Sequence, residues 1–220
     1  MKTALIFGSS GLIGGHLLNQ LIKNDYYDKI KIFVRSVPEI NDPKVEIIKT
    51  DFNNLENHRE DIKGDDCFFC IGTTRQNSPD KNDYRRVELD IPKEIAQIAK
   101  SNSINSFVFV SSGYADPKSS GDYLKFKGQV EEELKRLNFT KLGIMRPSFL
   151  MGNRKEKRIG EKIGILVFKL LSPLLLGPLK KMKPINSEIV AKAMIKAANE
   201  NLEINTFESY IISRTLGVCI

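Results

Sequence analysis

Residues 4–22 read ALIFGSSGLIGGHLLNQLI, an apolar run that meets a glycine turn and continues at once with helical spacing. The four residues before Gly8 suit a buried strand, and the leucines beyond the turn recur on one face of a helix. The crossing holds Gly8, Gly11 and Gly14 as Gly-x-x-Gly-x-x-Gly. Gly8 allows a tight turn, Gly11 lets main chain approach a pyrophosphate, and Gly14 lets the helix pack closely on the strand. The helix start adds free N–H groups and a positive dipole end. A glycine triplet alone also fits a purely structural turn, but its place at the first strand-to-helix crossing favours a dinucleotide. The expected cofactor set here is Gly8, Ser9, Ser10, Gly11, Leu12, Ile13 and Gly14.

Outward from this turn, apolar β-rich runs recur at 3–8, 29–34, 45–49, 66–72, 106–112 and 141–146. Helix-period segments lie between or after them at 12–23, 86–101, 121–137 and 187–199. Continuous apolar strands alternating with helices predict an α/β fold: a doubly wound parallel sheet covered on both faces, of the Rossmann type. The 220 residues, 41% hydrophobic, suit one domain, with 150–185 as a small substrate-side insertion or lid. Within it, IGILVFKLLSPLLLGPL (163–179) is interrupted by Lys169, Pro173 and Pro178. That is shorter than the ~20 apolar residues of a membrane span, so no span is expected. The segment suits a cover over the site or a contact with a second subunit, which leaves a homo-oligomer open.

The net charge of +7 gathers partly in NRKEKR (153–158) and KKMK (180–183), read as solvated surface before a phosphate or acidic-partner site. No aromatic-and-basic sheet motif or recognition helix stands out, so nucleic acid is not an expected partner. The first residues, MKTALIFGSS, lack the pattern of a secretory signal, and three cysteines make no disulfide framework. A cytosolic location follows as the expectation. Cys67 and Cys70 form Cys-x-x-Cys within one strand, where a step of three sends them to opposite faces; His16 and His58 have no ligating companions. No metal site is expected.

The second strand ends on Arg35, where a NAD-selective site would carry an acid. A guanidinium there suits a 2′-phosphate, so NADP(H) is favoured over NAD(H), against an exposed arginine that merely closes a strand. Asp51 and Phe52, after the third strand, are placed to flank the adenine, and Ile71, Gly72 and Thr73, after the fourth, to line the opposite side.

Tyr-x-x-x-Lys occurs at Tyr27/Lys31, Tyr114/Lys118 and Tyr123/Lys127. The first enters a strand, where such a step spans ~13 Å. The second crosses Pro117, which disfavours a helical turn. Only Tyr123 opens a helical segment, DYLKFKGQVEEELKRL, where i and i+4 share a face at about 5–6 Å. Hydride arriving at a carbonyl carbon builds negative charge on oxygen, and a phenol beside an ammonium can supply the proton. Lys127 would also hold the nicotinamide ribose, and Ser112, at the end of the fifth strand, would orient the carbonyl. A serine there can equally cap a turn. The acids at 131–133 read as a solvated helix face.

With the glycine turn, Ser112, Tyr123 and Lys127 in this order, the chain resembles the short-chain dehydrogenase/reductase superfamily. CIGTTR, YLKFKGQVEEEL and MRPSFLMGNRKEKR look like its atypical branch, typified by the Tat-interactive protein oxidoreductases. The resemblance spans about residues 3–195. It implies a Rossmann domain binding NADPH, with Tyr123 as proton donor, Lys127 on the cofactor, and Leu150 and Arg158 near it. Family members often show paired arginines after the second strand, whereas Ser36 follows Arg35 here. The family also includes regulatory proteins. The expected function is thus reduction of a small carbonyl or oxidation of an alcohol, the alternative being a cofactor-binding regulator of a protein partner.

Overall fold

The computed structural model describes residues 1–151, 184–202 and 205–216. Its core is a seven-stranded, wholly parallel sheet made of β1 (Lys2–Phe7), β2 (Tyr27–Val34), β3 (Val45–Lys49), β4 (Asp66–Phe69), β5 (Ser106–Val110), β6 (Lys141–Arg146) and β9 (Thr206–Glu208). The strand order is β3-β2-β1-β4-β5-β6-β9. The chain therefore runs outward from β1 in one direction and resumes beside β1 with β4. A crevice opens at the carboxyl ends of strands where the order reverses this way. The single-domain Rossmann reading holds, with one strand more than the six expected, because β9 has only three residues.

Period-two side chains divide the core. Phe33, Phe7, Phe69 and Phe109 lie in register across β2, β1, β4 and β5. Neighbouring ring centroids in this row stand 4.3, 6.1 and 5.9 Å apart. Each buried Phe contributes about 1.5–3 kcal/mol, and such ring pairs about 0.5–1.5 kcal/mol more. The row packs under α3 (Ile91–Ser101) and α4 (Asp122–Leu137). Ile32, Ile6, Phe68 and Val108 face the other way, under α1 (Leu12–Ile22) and α5 (Ser187–Asn199). Cys67 joins the first cluster and Cys70 borders the second, so the pair does separate to opposite faces.

The expected helix at 86–101 begins earlier and changes form. Helix α2 (Lys81–Arg85) runs into a widened π turn at Arg86–Asp90, then into α3. Pro92 offers no N–H to the carbonyl of Glu88 and its ring would collide with it, and a wider turn relieves both. Strands β4 and β5 stop at Phe69 and Val110, short of the expected 72 and 112, so both chains turn at the crevice.

Most of the expected insertion at 150–185 lies outside the described residues. Its ends do not: β7 (Leu150–Met151) pairs in parallel with β8 (Ile185–Asn186). No described helix is long and apolar enough to cross a membrane.

The glycines of the first turn differ in how closely they are packed. Gly8 has φ +92°, and a Cβ there would stand 2.8 Å from the Cys70 carbonyl carbon and the Ile71 nitrogen. A Cβ on Gly14 would stand 2.1 Å from the Gly8 oxygen, whereas one on Gly15 would meet nothing nearer than 3.6 Å. Gly14→Ala should therefore cost upward of about 1–3 kcal/mol by overpacking. Gly15→Ala should be neutral or stabilising by up to about 1 kcal/mol through helix propensity. Urea unfolding midpoints of the two variants check the contrast.

Candidate active site

The glycine turn leaves a cradle at the start of α1. Gly11 caps the helix in an extended conformation without any side-chain cap, and no acid stands in the first turn to oppose an anion. A Cβ at Gly11 would meet only the Gly8 oxygen, at 3.3 Å. Ser10 and Gly11 are exposed and Leu12 is half-buried, whereas Ser9, Ile13 and Gly14 are buried and offer main chain only or packing. This donor set and this space fit a pyrophosphate.

On the β2–β3 side, Arg35, Lys49, Thr50, Asp51 and His58 line a depression of about 420 Å³. Arg35 stands where its sequence position puts it, and Lys49 and His58 join it there. Asp51 is exposed; the Asn53 backbone N–H, and then its side chain, hold the carboxyl below its ordinary pKa. Phe52 departs from expectation. Its backbone is left-handed, φ +63°, and its ring is buried in the α3/α4 cluster, so the ring does not flank a ligand.

Across the crevice, Ile71 and Thr73 are half-buried and Gly72 exposed. Lys127, 3% exposed, comes up beneath this wall from α4. Its Nζ lies 3.0 Å from Glu88 Oε2 and 3.4 Å from the Val110 carbonyl oxygen, 4.9 Å from the centre of the Phe109 ring. Burial alone would lower the ammonium's pKa. The Glu88 carboxylate, and after it Tyr123, outweigh burial and hold it above the ordinary value. Tyr123, four residues back on the same face, is 40% exposed, so the pair joins a closed cation to an open phenol.

Glu88 escaped the reading of the sequence. It sits in an acid-and-base segment, RRVELD, that looks solvated, but it faces inward with no exposed surface. The available signal was Pro92 four residues on, which forces the local turn to widen. Tyr84 was missed as well. Its ring is buried beneath the Arg75 guanidinium at 4.2 Å, and burial, then the charge of Glu88, push its hydroxyl up to about 12. Arg75 also pairs with Asp122, tying the loop after β4 to the first turn of α4.

The two serines after β5 divide their tasks. Ser111 is buried and donates to Glu131 Oε1 at 2.5 Å, whereas Ser112 is half-buried and donates only weakly, to the Gly113 carbonyl at 3.3 Å. Ser112 is thus the less committed of the two, and it lies beyond the strand and not at its last residue. Its loop closes on itself where Ala115 N–H donates to the Ser112 carbonyl at 3.2 Å, and it is bound to the tyrosine helix where Asp116 N–H donates to the Leu124 carbonyl at 3.1 Å. Gly128 makes this possible, since a Cβ there would stand 2.2 Å from the Pro117 nitrogen.

The reading of 131–133 as a solvated face is corrected. Glu131 is 2% exposed and Glu133 is buried; only Glu132 faces outward. Arg146 holds Glu131 in a two-pronged pair at 2.9 and 2.5 Å, reaches Glu208 at 3.3 Å, and donates to the Ala115 carbonyl at 3.1 Å. Glu133 binds Arg136 and Gln97. A charge run read locally hides partners that lie far along the chain.

The other tyrosine pairs are accounted for. Tyr27 donates to the buried Asp66 at 2.8 Å at the amino-terminal ends of the strands, away from the crevice; burial and then Asp66 drive its pKa far upward. Lys31 points away to the carbonyls of Asp61 and Lys63. Tyr114 is exposed with φ +65° in the loop behind Ser112. Leu150 is half-buried in β7 and packs on the α1/α5 core. Arg158 lies outside the described residues.

These features define a Rossmann protein whose crevice is shaped for a nicotinamide dinucleotide. A family model described as NAD(P)H-binding matches residues 8–201, and the chain belongs to that family, in its atypical short-chain dehydrogenase/reductase branch. Protein FMP52, mitochondrial, of Candida glabrata is 30% identical over 93% of this chain and 88% of that protein. Protein HTATIP2 of Rattus norvegicus is 32% identical over 73% of this chain and 67% of that protein. The same fold, at 15% identity and TM-score 0.72, occurs in the Bordetella bronchiseptica enzyme WbmH in complex with NAD+, covering 94% of this chain and 75% of that one. Several relatives carry "mitochondrial" in their names, which points away from a cytosolic location and corrects that expectation.

Arg146→Met strips the cation from two buried carboxylates and should destabilise the protein by about 3–5 kcal/mol. Adding Glu131→Gln should restore part of that loss. Urea unfolding of the single and double variants checks both expectations.

Proposed function

We propose that the protein is an NADP(H)-dependent oxidoreductase acting on a small carbonyl compound or the corresponding alcohol. The observation that carries this reading is the buried ammonium of Lys127 under the crevice wall, sharing a helix face with the open phenol of Tyr123. Gly8, Gly11 and the start of α1 would hold the pyrophosphate. Arg35, with Lys49 and His58 in the same depression, favours the 2′-phosphate of NADP(H) through charge and paired donors. When bound, the nicotinamide supplies or accepts the hydride.

The residues do the rest. Ser112 donates a hydrogen bond to the substrate oxygen and orients it. As negative charge grows on that oxygen, Tyr123 passes it the phenolic proton. Lys127 faces the phenolate left behind and stabilises it by charge. In the oxidative direction the same phenolate takes the proton from the alcohol.

Tyr123→Phe should lower turnover about 10²–10⁴-fold, the usual worth of a general acid. Its NADPH affinity should stay near that of the wild type. Steady-state rates across a panel of aldehydes and ketones, with NADPH binding followed by fluorescence, decide it. Full activity in Tyr123→Phe removes the mechanism, and no turnover by the wild type across the panel favours a cofactor-binding regulator. For the 2′-phosphate, Arg35→Ala should weaken NADPH about tenfold or more and leave NADH nearly unchanged, because a charge-assisted hydrogen bond contributes about 1.5–3 kcal/mol. Equal weakening of both cofactors sinks that assignment.

A further inference from the structure

Glu88 has no exposed surface, and a carboxylate so placed requires compensation. Its Oε1 accepts from the Thr73 backbone N–H at 2.5 Å. Its Oε2 forms an ion pair with Lys127 Nζ at 3.0 Å. A Cβ on Gly72 would stand 3.5 Å from Glu88 Oε1 and 4.0 Å from Lys127 Nζ, so the pair is set directly against the main chain of the crevice wall. The π turn that presents Glu88 costs regular helix geometry, and such turns gather at functional sites. If packing alone were at stake, two apolar side chains of similar volume in place of both Glu88 and Lys127 would serve as well or better.

We propose that Glu88 is a positioning residue of the reductase site. It holds the Lys127 ammonium at the junction of the crevice wall and the tyrosine helix, and it sets the net charge that Tyr123 meets there. The proposal rests on the reading of Lys127 as the residue that meets both cofactor and phenol. Four elements converge on the ammonium: the π turn through Glu88, the end of β4 through Cys70, α4 itself through Tyr123, and β5 through the Val110 carbonyl and the Phe109 ring, which carry no titratable group. Tyr84 faces Glu88 and Tyr123 in turn, with Arg75 and Asp122 around it. Burial works to strip the proton from Lys127, and Glu88 supplies the largest opposing interaction. Without that charge the ammonium would lose both its anchor and its reason to stay protonated. The Val110 carbonyl oxygen, 3.4 Å away, would be left as its hydrogen-bond acceptor among the described residues.

The test is a pH titration of the full-length protein labelled with ¹³Cε-lysine, the Lys127 signal being assigned with Lys127→Arg. It is run on wild type, Glu88→Gln and Glu88→Asp, beside NADPH binding by fluorescence. Wild-type Lys127 should stay protonated beyond the ordinary lysine midpoint of about 10.4. In Glu88→Gln it should release its proton at least about one pH unit lower, where burial is no longer opposed. The Kd for NADPH should rise about tenfold, as a displaced ribose contact of about 1.4 kcal/mol requires. Glu88→Asp, which keeps the charge but shortens the reach, should fall between. If Glu88→Gln does not fold, Glu88→Asp carries the test alone, with smaller changes of the same sign. A Lys127 midpoint or an NADPH Kd that matches the wild type overturns the proposal. Neither measurement needs turnover, so an inactive wild type would count against the reductase and leave the role of Glu88 to be judged on its own.

Discussion

The oxygen of Gly8 lies where any side chain on Gly14 would have to be. This contact fixes the angle at which α1 leaves β1, and it leaves no room for a β-carbon on Gly14. Because Gly8 also abuts Cys70 and Ile71, the first turn is pressed against the end of β4 as well as against its own helix. The two walls of the crevice are thereby joined through main chain, before any side chain takes part. The phenylalanine row across β2, β1, β4 and β5 then keeps the strands below in register.

On that frame, the tyrosine helix is held by charge from two sides. Glu88 reaches Lys127 from the π turn, and Arg146 grips Glu131 from β6 while reaching Glu208 on β9. Burying ions is expensive, and each pair offsets that cost only while its partner stays in place. Such contacts hold direction better than hydrophobic packing, which slides. Lys127 and Ser112 depend on them in different ways. The lysine is an end of one pair. The serine rides on a loop that Arg146 bonds through Ala115 and that Gly128 admits against the helix.

The architecture was legible in the sequence because strand and helix periods are strong and local. The stretch 4–22 and the segment 121–137 carried most of it, and α5 was bounded correctly at 187–199. Legibility fell where distant partners decide. Phe52 follows β3 as an adenine neighbour should, but a left-handed backbone turned its ring inward. The acids at 131–133 looked solvated because Arg146 and Gln97 lie far away in the chain. Glu88 was hidden in a charged run behind two arginines, its position decided by a proline beyond it. Strand β9, three residues long, had too short a pattern to register.

Leu150 pairs with Ile185 and Met151 with Asn186 in a two-stranded sheet of their own, so two points far apart in the chain are clasped together. Closing a loop on fixed ends costs free energy that grows only with the logarithm of its length. Whatever runs between those ends can therefore lengthen, shorten or change composition while the glycine turn, the ion pairs and the tyrosine helix keep their places. A related chain could therefore differ in length between β7 and β8 without moving the strands and helices that build the crevice.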